Sequence, residues 1–214
     1  MTETNIRIIT SIFLLSTLIV SLNNNFFLTI FVILIFYQII FEFQNMIKKI
    51  YKNKKFVILI ILLLIIFYIF SISLIVWQII FFDSEFYKKK LLLIFLVCIL
   101  TDTGGYIFGK TFKGKKLTKI SPGKTYSGMY GSYILSLALT PMIFKNHISI
   151  EIILISTFII SSVSQFGDLF ISYLKRKSNI KDTDNILPGH GGLLDRFDGF
   201  IFAIPVGLIL FKIL

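Results

Sequence analysis

Apolar residues arrive along this chain in long blocks, each closed by a short cluster of charged, amide or glycine residues. The blocks run over 6–22, 26–43, 56–82, 91–108, 133–144, 152–170 and 200–214. A helix needs about 20 apolar residues to cross a bilayer, and lipid admits only elements whose backbone groups are satisfied internally. The pattern therefore predicts an all-α, polytopic integral membrane bundle of about seven transmembrane helices. Block 6–22 lacks a small-residue cleavage pattern and further spans follow it, so it reads as a first helix and not as a signal peptide. Block 56–82 is long for one crossing; it fits either a tilted span or two short half-crossings.

Composition sharpens this picture. Of 214 residues, 56% are hydrophobic, above the roughly 45–50% of a soluble domain, which leaves no length for a separate soluble domain. The 22 Lys and Arg against 11 Asp and Glu give a net charge of +11. In a soluble protein that excess would point to nucleic acid. Here the cations sit in short loops between apolar blocks, so they orient the chain and meet lipid headgroups, and no nucleic-acid partner is expected. Placing 44–55, 109–132 and 172–198 on the cytoplasmic side agrees with most lysines; Lys88, Lys89 and Lys90 then fall on the opposite side. The single cysteine, Cys98, lies in an apolar block, which excludes a disulfide framework and a thiolate metal site.

The polar interruptions carry the candidate chemistry. Asp102-Thr103-Gly104-Gly105-Tyr106 places a carboxylate and two small residues near the end of a span. An intramembrane carboxylate marks a functional position by default, and small residues let helices approach closely. Loop 109–132 holds six lysines, five glycines and no acidic residue. Within it Ser121-Pro122-Gly123-Lys124-Thr125 can offer N–H groups and an ammonium to a phosphate, although the spacing is not that of a P-loop. If the helix of block 152–170 continues, Asp168, Ser172, Lys175 and Arg176 share one of its faces.

Segment 172–198 then adds Lys181, Asp182, the glycine-rich Pro188-Gly189-His190-Gly191-Gly192 and the acidic pair Asp195 and Asp198. The two aspartates are spaced to point to one side of a helix. With Asp168 they form a candidate Mg²⁺ set, a hard cation held by a few carboxylates plus substrate phosphates. Gly191 and Gly192 allow a ligand to approach the backbone, and His190 is a candidate donor or base. Glu42, at the end of block 26–43, reads either as a solvated helix end or as a functional carboxylate.

Taken together, Ser172-x-Leu174-Lys175-Arg176, Lys181-Asp182 and Pro188-Gly189-His190-Gly191-Gly192-Leu193-x-Asp195-Arg196-Phe197-Asp198 resemble the signature of the phosphatidate cytidylyltransferases. The resemblance extends to Asp102-Thr103-Gly104-Gly105-Tyr106, Ile120 to Thr125 and Gly167-Asp168-Leu169, and thus covers about residues 95–214. It divides the chain into N-terminal helices, 1–94, shorter than is usual in the family, and a catalytic region, 95–214. Glu42 matches an acidic residue that closes an early helix there.

The resemblance implies attack of the phosphate of phosphatidic acid on the α-phosphorus of CTP, giving CDP-diacylglycerol and pyrophosphate in phospholipid biosynthesis. It implies Mg²⁺, with room for a second metal ion, held by Asp168, Asp195 and Asp198. It implies Lys124, Lys175, Arg176, Lys181 and Arg196 on phosphate oxygens, with Asp102, Ser121, Ser172, Asp182, His190, Gly191 and Gly192 lining or ordering the site. A bacterial inner membrane, a cytoplasm-facing site and a homodimer belong to the same expectation. The chain departs from the pattern at Ile171, where the family often has Glu, and at Ser127, where it usually has an acidic or amide residue. Three alternatives stay open: a related CTP-dependent lipid transferase or kinase with another acceptor, an inactive copy, and, in a different class, a transporter. The last is disfavoured by carboxylates at helix ends and by the lack of an internal repeat.

Overall fold

The computed structural model describes residues 16–17, 24–52, 54–82, 85–189 and 191–213. These form six long helices, α1 (Asn25–Ile50), α2 (Lys55–Phe81), α3 (Glu85–Phe112), α4 (Tyr126–Phe144), α5 (Ile150–Lys177) and α6 (Leu194–Ile213). Among the described residues β-structure is confined to two isolated bridges, Lys116 with Thr125 and Leu187 with Gly191. The all-α expectation holds. Four helices, Phe26–Ile50, Lys55–Phe81, Glu85–Phe112 and Ile150–Lys177, are long and apolar enough to cross a membrane. The expected span over 6–22 lies outside the described residues except for Ser16 and Thr17, which are helical.

Several boundaries differ from the hydropathy pattern for one reason: a helix continues through polar residues wherever backbone bonding and packing support it. Block 56–82 is one continuous helix, so the two half-crossings are not formed. Residues 85–90, which lie between two apolar blocks, are the first turns of α3. Loop 109–132 shrinks to 113–125, because α3 runs to Phe112 and α4 begins at Tyr126. Loop 172–198 shrinks to 178–193, with Lys175 and Arg176 on the last turn of α5.

By compactness the chain divides into two units, Met1–Phe81 with Leu174–Phe197, and Phe82–Tyr173 with Asp198–Leu214. In the first, α1 packs on α2. Asn24 caps α1, its side chain accepting from the Phe26 amide at 2.9 Å, and Lys48 and Lys49 occupy the last turn, where cations suit the helix dipole. Ile39, Phe43 and Met46 on α1 and Ile69, Ile72, Val76 and Ile79 on α2 are buried. The rest of α2 presents bare apolar surface, Phe56, Leu63, Leu64 and Phe67 among it, as a lipid-facing helix should.

In the second unit α3 packs on α4 through small residues. A Cβ on Gly104 would lie 2.5 Å from the Gly131 carbonyl oxygen, and one on Gly131 would lie 2.2 Å from the Phe108 side chain. Only glycine permits this approach, the usual device where lipid supplies no hydrophobic drive between helices. Hydroxyls then stitch the helices: Ser132 donates to the Thr101 carbonyl at 2.7 Å, and Thr101 to Ser161 Oγ at 2.9 Å. Lys90, which the charge pattern placed on the wrong side, is buried, donates to the Phe211 carbonyl at 2.7 Å and lies over the Phe86 ring. It holds the end of α6, so its position answers to packing as well as to topology.

Candidate functional site

In the second unit the same small-residue logic brings two carboxylates together. A Cβ on Gly167 would lie 2.9 Å from the Asp198 carbonyl oxygen, and one on Gly199 would lie 2.4 Å from Ser164 Oγ. These glycines let α5 and α6 touch, and each has an aspartate beside it, Asp168 and Asp198. Asp168 forms an ion pair with Lys124 and accepts from Ser172 Oγ at 3.4 Å. The Ser172 contact confirms the continued helix face, residue to residue four along. Asp198 follows the first turn of α6, ahead of the apolar run that starts at Phe200. Burial first, then the negative charge of its hydrogen-bonded neighbour Asp168, and also that of Asp102, push its carboxyl well above the usual carboxylate range.

Lys124 is delivered to Asp168 by a closed hairpin. Leu117 N donates to the Lys124 carbonyl at 2.8 Å, Tyr126 N to the Lys115 carbonyl at 3.1 Å, and Lys124 N to the Ser121 carbonyl at 3.0 Å. Thr125 then caps α4, accepting from the Gly128 amide at 3.1 Å. Ser121 thus serves the turn through its backbone, its own amide bound by Thr118 Oγ1.

The first unit holds a second polar centre of a different kind. Glu42 is completely buried. Its Oε1 accepts from Leu193 N at 2.8 Å and Gln38 Nε2 at 3.0 Å, and its Oε2 from Leu194 N at 2.9 Å and Thr183 Oγ1 at 2.5 Å. Two of these donors are orphan amides at the start of α6, so a residue of α1 caps a helix about 150 positions away. Asp195 completes the centre. Its Oδ2 accepts from the amides of Thr183 at 2.9 Å and Gly192 at 3.0 Å, and its Oδ1 from Lys175 Nζ at 2.7 Å. Burial raises the Asp195 carboxyl, but the Lys175 bond and charge and the two amides outweigh it and hold it below the usual range. The loop over 178–193, a strap between α5 and α6 in sequence, closes through reciprocal Leu187 and Gly191 bonds, with Gly191 at φ 86°. A Cβ on Gly192 would fall 2.0 Å from Thr183 Oγ1 and 2.4 Å from Glu42 Oε2, so the packing there requires glycine.

Of the other expected residues, Asp102, Arg176, Lys181, Asp182 and Arg196 are exposed, and Arg176 Nη1 donates to the Ile180 carbonyl. His190 lies outside the described residues. At the departures, Ile171 is fully buried apolar core, and Ser127 bonds Thr125 Oγ1 and the Lys113 carbonyl. Gln38 and Thr183 were not singled out from sequence. The Gln38-x-x-x-Glu42 spacing was the available sign for the first; Thr183, between two aspartates, offered none.

Among the described residues no group of three or more His, Cys, Asp or Glu side chains is placed to hold a metal ion. The pair Asp168 and Asp198 nonetheless suits Mg²⁺, which takes one or two carboxylates and completes its shell with water and substrate phosphates. Their mutual repulsion is what a cation would relieve. Asp195 fits less well, since Lys175 and two amides already occupy its oxygens.

A family model described as the cytidylyltransferase family matches residues 62–214. Among curated proteins, the phosphatidate cytidylyltransferase of Staphylococcus saprophyticus is 50% identical over 116 residues, 52% of this chain and 45% of the relative. Those of Rickettsia felis and Bacillus subtilis are 46% and 42% identical over 124 and 119 residues, covering 51% and 52% of this chain and 53% and 44% of theirs. The chain spans about half the length of the curated relatives it matches.

Proposed function

The chain belongs to the cytidylyltransferase family, and from that premise we propose that it transfers the CMP moiety of CTP to phosphatidic acid, forming CDP-diacylglycerol and pyrophosphate. The observation that carries this reading is the pair of carboxylates Asp168 and Asp198 with the Lys124 ammonium on Asp168. Paired acids beside a cation match what nucleotidyl transfer demands, which is charge stabilisation and positioning with little covalent work by the protein. The names of the relatives support the same substrates, and four apolar helices suit a lipid acceptor.

In this reading a phosphate oxygen of phosphatidic acid attacks the α-phosphorus of CTP, and the bond to the β-phosphate breaks, its electron pair leaving with pyrophosphate. Lys124 gives up its ion pair to bind a triphosphate oxygen, and Lys175, Arg176, Lys181 and Arg196 hold further phosphate oxygens. Asp168 and Asp198 would hold Mg²⁺, with Asp102 adding negative charge nearby. Mg²⁺, when bound, supplies neutralisation of the phosphate charge that develops at the attacking and leaving oxygens. The site faces the cytoplasm of a bacterial inner membrane, where the lysine-rich loops belong.

The test is the purified full chain in detergent with CTP, phosphatidic acid and Mg²⁺, followed for pyrophosphate release and labelled CDP-diacylglycerol. Release that requires both phosphatidic acid and Mg²⁺ and stops with EDTA is expected. Release with a different lipid acceptor alone would replace phosphatidic acid, and no release with any acceptor or divalent metal would overturn the reading.

A further inference from the structure

Glu42 lies on α1, far in sequence from the 178–193 strap, yet it accepts from Thr183 and Leu193 within the strap and from Leu194 just beyond it. We infer that Glu42 is a positioning residue of the transfer site, a buried anionic pin that sets where Lys175 is presented to phosphate. The inference rests on the proposed transfer reaction.

The argument runs from acceptor capacity. A carboxylate has two oxygens able to accept about four hydrogen bonds, and Glu42 accepts four, from Gln38, Thr183, Leu193 and Leu194. Each donor is fixed by something else. Gln38 Nε2 also donates to Asp184 Oδ2 at 3.1 Å, which anchors the strap on α1. Leu193 immediately precedes α6 and Leu194 begins it, so their amides set the direction of its first turn, where Asp195 sits.

Thr183 is the link. Its hydroxyl has one proton and stands 2.5 Å from Glu42 and 3.0 Å from Asp195 Oδ2. It donates to Glu42, the shorter contact, while its amide donates to Asp195. Asp195 in turn holds Lys175 Nζ, at the end of a side chain only 12% exposed. The chain of contacts Glu42, Thr183, Asp195, Lys175 therefore determines the position of an ammonium that phosphate must find, without Glu42 touching any substrate.

An isosteric Glu42→Gln change tests this because it keeps volume and removes one acceptor. Its NH₂ group would face donors, Leu194 N and Thr183 Oγ1 or Leu193 N and Gln38 Nε2, whichever way the amide turns. Unpaired buried donors should raise hydrogen exchange of the Leu193 and Leu194 amides about ten- to a hundredfold. The KM for CTP should rise about tenfold while kcat changes less, since binding geometry is loosened and the Asp168 and Asp198 pair is untouched.

Thr183→Val should reproduce part of both effects and Thr183→Ser should recover them, which guards against a Glu42 variant that fails to fold. The inference is overturned if Glu42→Gln or Thr183→Val leaves the amides as protected as in wild type, or frees them with KM unchanged. Exchange needs no turnover, so the two readings part. A wild-type chain that transfers no CMP overturns the proposed reaction and with it the positioning role. Normal transfer with unaltered exchange in the variants overturns the pin alone.

Discussion

Glu42 and Asp195 are filled by donors that other parts of the protein supply, whereas Asp168 meets the Lys124 ammonium and, at 3.4 Å, the Ser172 hydroxyl, and Asp198 meets the Gly199 amide and Asp168 itself. The first pair accepts from four backbone amides, a glutamine, a threonine and a lysine. A carboxylate so engaged is ordered and stabilised, and it has little left to offer a ligand. A pair of acids that repel each other is the opposite case, costly as it stands and able to recover that cost when a cation arrives. Residue type is the same in both places; what differs is who satisfies the charge.

The largest expected effect comes from removing a charge on the unsatisfied side. Asp198→Asn should lower Mg²⁺-dependent CMP transfer about a hundred- to a thousandfold while leaving thermal unfolding in detergent close to wild type, because it also relieves repulsion with Asp168. Full activity in this variant would collapse the distinction.

Asp195→Asn should show the reverse balance. Breaking a largely buried pair, 12% and 7% exposed at Lys175 and Asp195, costs about 3 kcal/mol. It should appear as a lower unfolding midpoint before and independently of any loss in metal dependence. An Asp195→Asn protein of normal stability whose Mg²⁺ requirement has shifted would return Asp195 to the metal set.

The smallest effect is expected at Lys124, about a quarter exposed and held on a short hairpin. Lys124→Ala should raise the KM for CTP by about tenfold, the loss of one charge-assisted contact, and should leave the unfolding midpoint nearly unchanged. A CTP dependence identical to wild type would take the hairpin out of the site.

Much of this molecule is legible in the order of its residues. Long apolar blocks make helices because lipid offers the backbone no other partner, and the i, i+4 relation of Asp168 and Ser172 followed from helical geometry alone. The signature residues pointed to phosphate chemistry because cations and carboxylates beside glycine turns have few other uses at a membrane. Helix ends were less legible: hydropathy stopped at the charges, while α3 and α5 ran on through Lys110 and Lys177.

How the acids are paired is a matter of tertiary contacts. Spacing made Asp195 and Asp198 look equivalent, but one turns to Lys175 and two amides, and the other to Asp168. That choice depends on glycine contacts at Gly167, Gly192 and Gly199 and on Glu42, a carboxylate distant in sequence. The helices and the chemical kind of the site follow from local periodicity and residue type. Which charge is buried, paired or left open depends on contacts between segments far apart in the chain, and no local pattern encodes these.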